Sequence, residues 1–147
     1  MKKVLILGAG LSGIGSAELA KKNSLDILLS ESNEIDAKIK SKLKKLDIKF
    51  EENSHTNAKT YSADLVIKSP GIPDESEIID SLSKKGFSII SEIEFASLFS
   101  STPAIGVTGS NGKTTTATII HKLLSDANIN CSISGNCLLY TSPSPRD

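Results

Sequence analysis

Gly109-Ser110-Asn111-Gly112-Lys113-Thr114-Thr115 has the residue types, in order, that hold the phosphates of a nucleoside triphosphate. Gly109 and Gly112 permit positive φ and close backbone approach, so successive N–H groups can point at one anion. The lysine and threonines follow where a helix should open and its amide dipoles converge. At those positions Lys113 would reach the outer phosphates. The Thr114 hydroxyl would sit where Mg²⁺ binds, so a nucleoside triphosphate and Mg²⁺ are the expected ligands. The string departs from the strict phosphate-loop text: the glycine expected five residues before Gly112 falls on Val107, with Gly106 one place early. A glycine-rich turn whose lysine merely faces solvent is the plain alternative.

A second glycine turn lies near the N-terminus. Gly8-x-Gly10-x-x-Gly13 follows the apolar run Val4 to Leu7 and precedes a helical stretch. Gly8 would make the tight turn, Gly10 would let backbone approach a diphosphate, and Gly13 would let helix pack close to strand. Glu31, 18 residues after Gly13, ends the second apolar run, placed to accept hydrogen bonds from a sugar or a base edge. Alone, this pattern favours NAD, hence an oxidoreductase or a regulatory nucleotide-binding module. A second phosphate loop about 100 residues later, and a first unit ending near residue 100, move the reading to another diphosphate-bearing ligand.

The elements that must position these turns alternate between strand and helix. Strands are expected at Val4 to Leu7, Asp26 to Ser30, near Ile48 to Phe50, Leu65 to Ile67, Phe87 to Ile90, Ala104 to Thr108 and Cys131 to Ser134. Helices are expected over Ile14 to Lys22, after Asn33 as cap (Ile35, Ile39, Leu43 and Leu46 on one face), and after Asp74 as cap. Two more follow the Ser91–Glu94 capping box and the phosphate loop, the latter to about Ala127. Residues 52–62 read as a polar loop and residues 100–103 as a short hinge. The class is therefore α/β, with a Rossmann-like parallel-sheet domain over residues 1–100 and the start of a P-loop-type α/β domain over 103–136.

Seventeen basic residues balance seventeen acidic ones, which excludes an electrostatic footprint for nucleic acid or a membrane surface. Cys131 and Cys137 lack metal-ligand spacing and read as free thiols. A lysine-rich start and apolar run mimic a signal peptide, but the four glycines from Gly8 to Gly15 argue against secretion. His55 is expected to be solvated, His121 to be surface or packing, Glu92 and Glu94 to be structural, and Cys131 to be a buried strand residue. The end of the chain breaks the pattern: Arg146 is the only arginine beside sixteen lysines, and residues 137–147 read as a disordered or non-native tail on a truncated second domain.

Gly8-Ala-Gly-Leu-Ser-Gly13, Lys68-Ser-Pro-Gly-Ile-Pro73, Ser91-Glu-Ile-Glu-Phe-Ala96, Gly106 to Thr116 and Gly135-Asn136 occur in this order. Together they resemble the Mur ligases of peptidoglycan synthesis, in their D-glutamate-adding branch. The resemblance implies a first domain binding the UDP part of the substrate, a central domain binding ATP, and ligation through an acyl phosphate. It implies UDP-N-acetylmuramoyl-L-alanine and D-glutamate as partners, a cytoplasmic monomer, and neither nucleic acid nor membrane. Carried onto this chain, it assigns Gly10, Leu11 and Ser12 to the diphosphate and uridine, and Glu31 and Ser32 to the uracil–ribose end. Ser69, Pro70 and Gly71 would line the same cleft, Asn136 would contact substrate, and Gly109 to Thr115 would form the ATP loop, with Lys113 stabilising charge on the transferring phosphoryl group, Thr114 on Mg²⁺ and Thr115 supporting the loop. The family continues Gly-Asn-Ile-Gly where this chain reads Gly135-Asn136-Cys137-Leu138, and the family's third domain has no counterpart, so the chain alone is expected to be inactive.

Overall fold

Continuous apolar runs become strands buried on both faces. In the computed structural model, which describes residues 2–134, five parallel strands form one sheet. In chain order the first unit, residues 1–101, runs β1 (Lys3–Leu7), α1 (Leu11–Lys22), β2 (Asp26–Ser30), α2 (Ala37–Lys45), β3 (Lys49–Glu51) and α3 (Thr56–Thr60). It continues with β4 (Leu65–Lys68), α4 (Glu77–Lys84), β5 (Ile89–Ser91) and α5 (Glu92–Ser97). The strand order is β3-β2-β1-β4-β5.

Side chains alternate across the sheet with period two, and β1, β2, β4 and β5 each feed two cores. Val4, Ile6, Ile27, Leu29 and Ile67 pack with Ile14, Ala17 and Ala20 of α1, Leu43 of α2 and Phe95 of α5. Leu5, Leu7, Leu28 and Val66 face the other way, against Ala58 of α3 and Ile78, Ile79 and Leu82 of α4. Helices thus cover both faces, which explains why these strands are apolar without interruption.

Several expectations are corrected. Residues 52–62 are not all loop. The Glu51 carboxylate accepts the Asn57 and Ala58 backbone N–H groups at 2.8 and 2.7 Å, which satisfies the first turn of α3. Asn33 does not cap α2; Asp36 does, accepting the Lys38 N–H at 2.8 Å, while Asn33 is drawn into a turn around Glu31. Asp74 is not the cap of α4 either. Ser76 holds that position with no side-chain cap bond, and Asp74 instead pairs with Lys68 at 2.6 Å. The Ser91–Glu94 capping box forms with both of its reciprocal bonds.

The second unit, from residue 102, contains α6 (Lys113–Asp126). The strands expected at 104–108 and 131–134 are not formed among the described residues. A strand exists only by exchanging hydrogen bonds with a neighbour, and neither segment has one among the described residues of this unit. No described residue of this unit is buried, so Ile105, Ile119, Leu123 and Ile129 lie open. Cys131 accordingly is a half-buried residue outside any strand, its Sγ 3.7 Å from the Ser125 hydroxyl and the His121 carbonyl.

Candidate functional site

The strand order places a topological switch between β1 and β4, since the chain leaves β1 toward β2 and later returns on its other side. Ligands of open α/β sheets bind in the crevice beyond the strand ends at such a point. Here the turns after β1 and β4 meet. Ser69 N–H donates to Leu7 O at 3.1 Å, and Gly8 N–H donates to Ser30 O at 2.8 Å. Gly8 has φ +98°, and a Cβ there would lie 2.7 Å from Ser69 Oγ, so the turn admits only glycine. A Cβ on Gly13 would overlap the Gly8 carbonyl, which is how α1 seats against the turn. Gly10 has nothing within 4 Å of its Cβ position, leaving its backbone approachable from outside.

The N-cap of α1 is Gly10, which has no side chain to satisfy the first N–H groups of the helix. Such an end presents donors and a partial positive charge to an anion. Leu11, beside it, is 85% exposed, an apolar surface that a base or sugar could cover. Ser12 Oγ donates to Glu92 Oε1 at 3.3 Å, tying the start of α1 to that of α5. Beneath the turn, Ser69 is 9% exposed and its Oγ finds no hydrogen-bond partner among the described residues. An unmade buried hydrogen bond costs about 1–3 kcal/mol, which favours a ligand or rearrangement that supplies one.

Glu31 closes the other side. Its Oε2 accepts the Ala9 N–H at 2.8 Å; its Oε1 accepts the Asn33 N–H at 3.0 Å and the Ser32 hydroxyl at 3.2 Å. Burial alone would push this carboxyl up. The bonds from Ala9, Asn33 and Ser32 outweigh burial and hold it below the usual carboxylate range. Ala9, Gly10, Glu31, Asn33, Ile35 and Ile39 are among the residues lining a cleft of about 260 Å³. Across β1, Lys68 donates to Ile72 O at 3.0 Å and pairs with Asp74, which fastens the turn carrying exposed Pro70 and Gly71.

The expected substrate residues Gly10, Leu11, Ser12, Glu31, Ser32, Ser69, Pro70 and Gly71 therefore stand on three loops linked at adjoining strand ends. Asn136 and the tail lie outside the described residues. Asn33, Lys68 and Glu92 were not singled out as site residues from the sequence. Lys68 had a signal, since it directly precedes Ser69-Pro70-Gly71. Glu92 had none, because its partner is 80 residues away. His55 corrects an expectation: it is not simply solvated, for its Nδ1 lies 2.6 Å from Ser30 Oγ.

In the second unit, Gly109 and Gly112 take positive φ of +147° and +77°, and Gly112 is the N-cap of α6 with no side-chain cap bond. Ser110, Asn111, Thr114 and Thr115 are exposed on this loop. Lys113 Nζ folds back to donate to the Gly109 carbonyl and, at 3.2 Å, to the Ser110 carbonyl. The loop thus offers an uncapped helix end with a lysine poised over it, a fit to phosphate. Among the described residues no group of three or more His, Cys, Asp or Glu could hold a metal ion. Nor is any helix among them long and apolar enough to cross a membrane.

Comparison with known proteins matches residues 3–78 to the MurD N-terminal domain and residues 107–143 to the Mur ligase middle domain. The UDP-N-acetylmuramoylalanine–D-glutamate ligase of Christiangramia forsetii is 52% identical over 135 residues, covering 92% of this chain and 30% of the relative. That of Bacteroides fragilis is 44% identical over 136 residues, covering 92% and 31%. Among solved structures, a murein peptide ligase from Psychrobacter arcticus superposes with a TM-score of 0.63 at 26% identity, over 87% of this chain and 27% of that one. The chain spans about 30% of the length of the curated relatives it matches.

Proposed function

Because this chain belongs to the MurD N-terminal domain family and runs on into a Mur ligase middle domain, we propose that it forms the nucleotide-reading front of an ATP-dependent amide ligase. The whole enzyme would join D-glutamate to UDP-N-acetylmuramoyl-L-alanine, as the names of its relatives say of them. The observation that carries this reading is the meeting of the Gly8 and Ser69 turns at the β1–β4 switch, beside an uncapped helix end and an acceptor-only Glu31.

The α1 amides after Gly10 receive the diphosphate, with Ser12 at the first turn. Leu11 covers an apolar face of the uridine. Glu31 and Ser32 meet the donors of the ribose and uracil, and the Ser69-Pro70-Gly71 turn closes the opposite wall. In the second unit, the backbone of Gly109 to Gly112 holds the phosphates of ATP, Lys113 neutralises charge on the transferred group, and Thr114 with Thr115 supports Mg²⁺ and the loop. Bound there, ATP and Mg²⁺ supply activation of a carboxylate toward attack by an amine. The chain's own contribution is position and charge neutralisation. An NAD reading would rest on the Gly8 turn alone.

Lys113→Ala, made in a protein extended to the full length of the relatives, tests the division of labour. It should abolish ligation and leave binding of the UDP substrate within about twofold, since the two glycine loops serve different nucleotides. Ligation at the normal rate by that variant would contradict the assignment of the second loop.

A further inference from the structure

Behind the cleft the fold seals a Ser–Glu–His cluster that the reading above does not use. Ser30, at the end of β2, is fully buried. Its Oγ lies 2.7 Å from Glu51 Oε1 and 2.6 Å from His55 Nδ1. Glu51 also receives the Ala58 N–H on Oε1 and the Asn57 N–H on Oε2. The backbone of the same residues holds the cleft: Ser30 O accepts the Gly8 N–H, and Glu51 O accepts the Glu31 N–H at 3.1 Å. Both the glycine turn and Glu31 therefore hang from this cluster.

The protons in it can be counted. A carboxylate already receiving two backbone N–H groups is the acceptor toward Ser30, and at 2.7 Å it takes the one Ser30 hydroxyl proton in preference to the Ser54 carbonyl at 3.4 Å. Ser30 Oγ can then only accept from the ring, and the 2.6 Å contact requires a proton on His55 Nδ1. This direction, with Ser30 out of reach of solvent, makes the trio the reverse of a nucleophilic triad.

We infer that His55 and Glu51 are positioning residues for the nucleotide cleft. His55 acts as an Nδ1–H donor that locks Ser30, and through Ser30 and Glu51 it fixes the Gly8 turn and Glu31. The inference rests on the UDP reading of the cleft. A glutamine at 51 would not substitute, because every neighbour of this carboxylate is a donor and an amide NH₂ would have to face one of them.

Two measurements on the 147-residue chain test it. Nitrogen chemical shifts of His55 by long-range ¹H–¹⁵N NMR should show Nδ1 protonated at neutral pH, and a neutral ring protonated only on Nε2 would overturn the relay. In calorimetric titrations with UDP, His55→Ala and Glu51→Gln should each weaken binding about five- to tenfold, the scale of one lost hydrogen bond. His55→Asn, whose amide N–H stands near the Nδ1 position, should restore affinity to within about twofold of wild type, a rescue that simple cavity formation would not give. His55→Asp sets an acceptor against an acceptor and should be no better than His55→Ala. UDP affinity unchanged in His55→Ala overturns the positioning role. Absence of UDP binding in the wild-type chain would instead remove the cleft reading and this role with it, while the nitrogen shifts would still decide the proton order.

Discussion

The carboxylate of Glu31 accepts the backbone N–H of Ala9 at 2.8 Å, so the acidic end of β2 is clipped to the turn that follows β1. Both of its oxygens face donors, with Asn33 N–H and Ser32 Oγ on the other one. Glu31→Gln keeps an acceptor for one side only and should weaken UDP binding and lower the melting temperature at neutral pH. The pH dependence has a definite sign. The folded carboxyl lies below its unperturbed 4.5, so its stabilisation is complete above that value and is lost as pH falls through the folded value. Thermal melts from pH 3 to pH 7 should show wild type and Glu31→Gln converging only at the acid end. A constant gap across that range would contradict the argument.

The glycines of the first turn should separate into distinct roles. A Cβ on residue 13 would lie 1.9 Å from the Gly8 carbonyl oxygen, so Gly13→Ala forces α1 off the turn and should cost about 1–3 kcal/mol of stability. Gly10→Ala meets nothing among the described residues, and its φ of −71° suits alanine. That variant should fold normally yet lose UDP affinity, because the methyl stands where ligand approaches. Gly15→Ala, also unobstructed and inside α1, should stabilise by about 0.5–1 kcal/mol without touching affinity. Denaturant melts beside UDP titrations of the three variants would show whether the pattern holds.

Tyr61 offers a test at alkaline pH. Burial first, then the Asp26 carboxylate through its charge and a hydrogen bond, then the charge of Asp64, push its ionisation up to about 12. The neutral phenol is the form the fold tolerates. Stability is therefore intact below the unperturbed 10.0 and lost as pH climbs through about 12. The phenolate absorbance difference between wild type and Tyr61→Phe isolates this residue from Tyr140. Ionisation of Tyr61 near pH 10 in the folded chain would refute the burial argument.

What the sequence disclosed was whatever local chemistry decides. Uninterrupted Val4 to Leu7 and Asp26 to Ser30 announced strands covered on both faces, and Ser91 with Glu94 announced a helix start. What it withheld depended on partners far along the chain. α3 has no cap of its own and begins where the Glu51 carboxylate reaches over from β3, so residues 52–62 read as loop. Asn33 and Asp36 both had the chemistry to cap α2, and the demand of Glu31 for the Asn33 N–H decided between them. The 104–108 run has strand composition and no partner among the described residues, and composition cannot reveal that. In the site, the loop glycines and Glu31 were legible because motif spacing encodes them. Ser12–Glu92 and Ser30–His55 are tertiary pairings and were not.

The account turns on a nucleotide diphosphate settling at the mouth between β1 and β4. Its most direct test is a ¹H–¹⁵N correlation map of the chain titrated separately with UDP and with NADH. UDP should move the amides of Gly10 to Ser12, Glu31 to Asn33 and Ser69 to Gly71 while those of α4 stay still. Silence of those amides toward UDP, or tighter binding of NADH at the same amides, would contradict it.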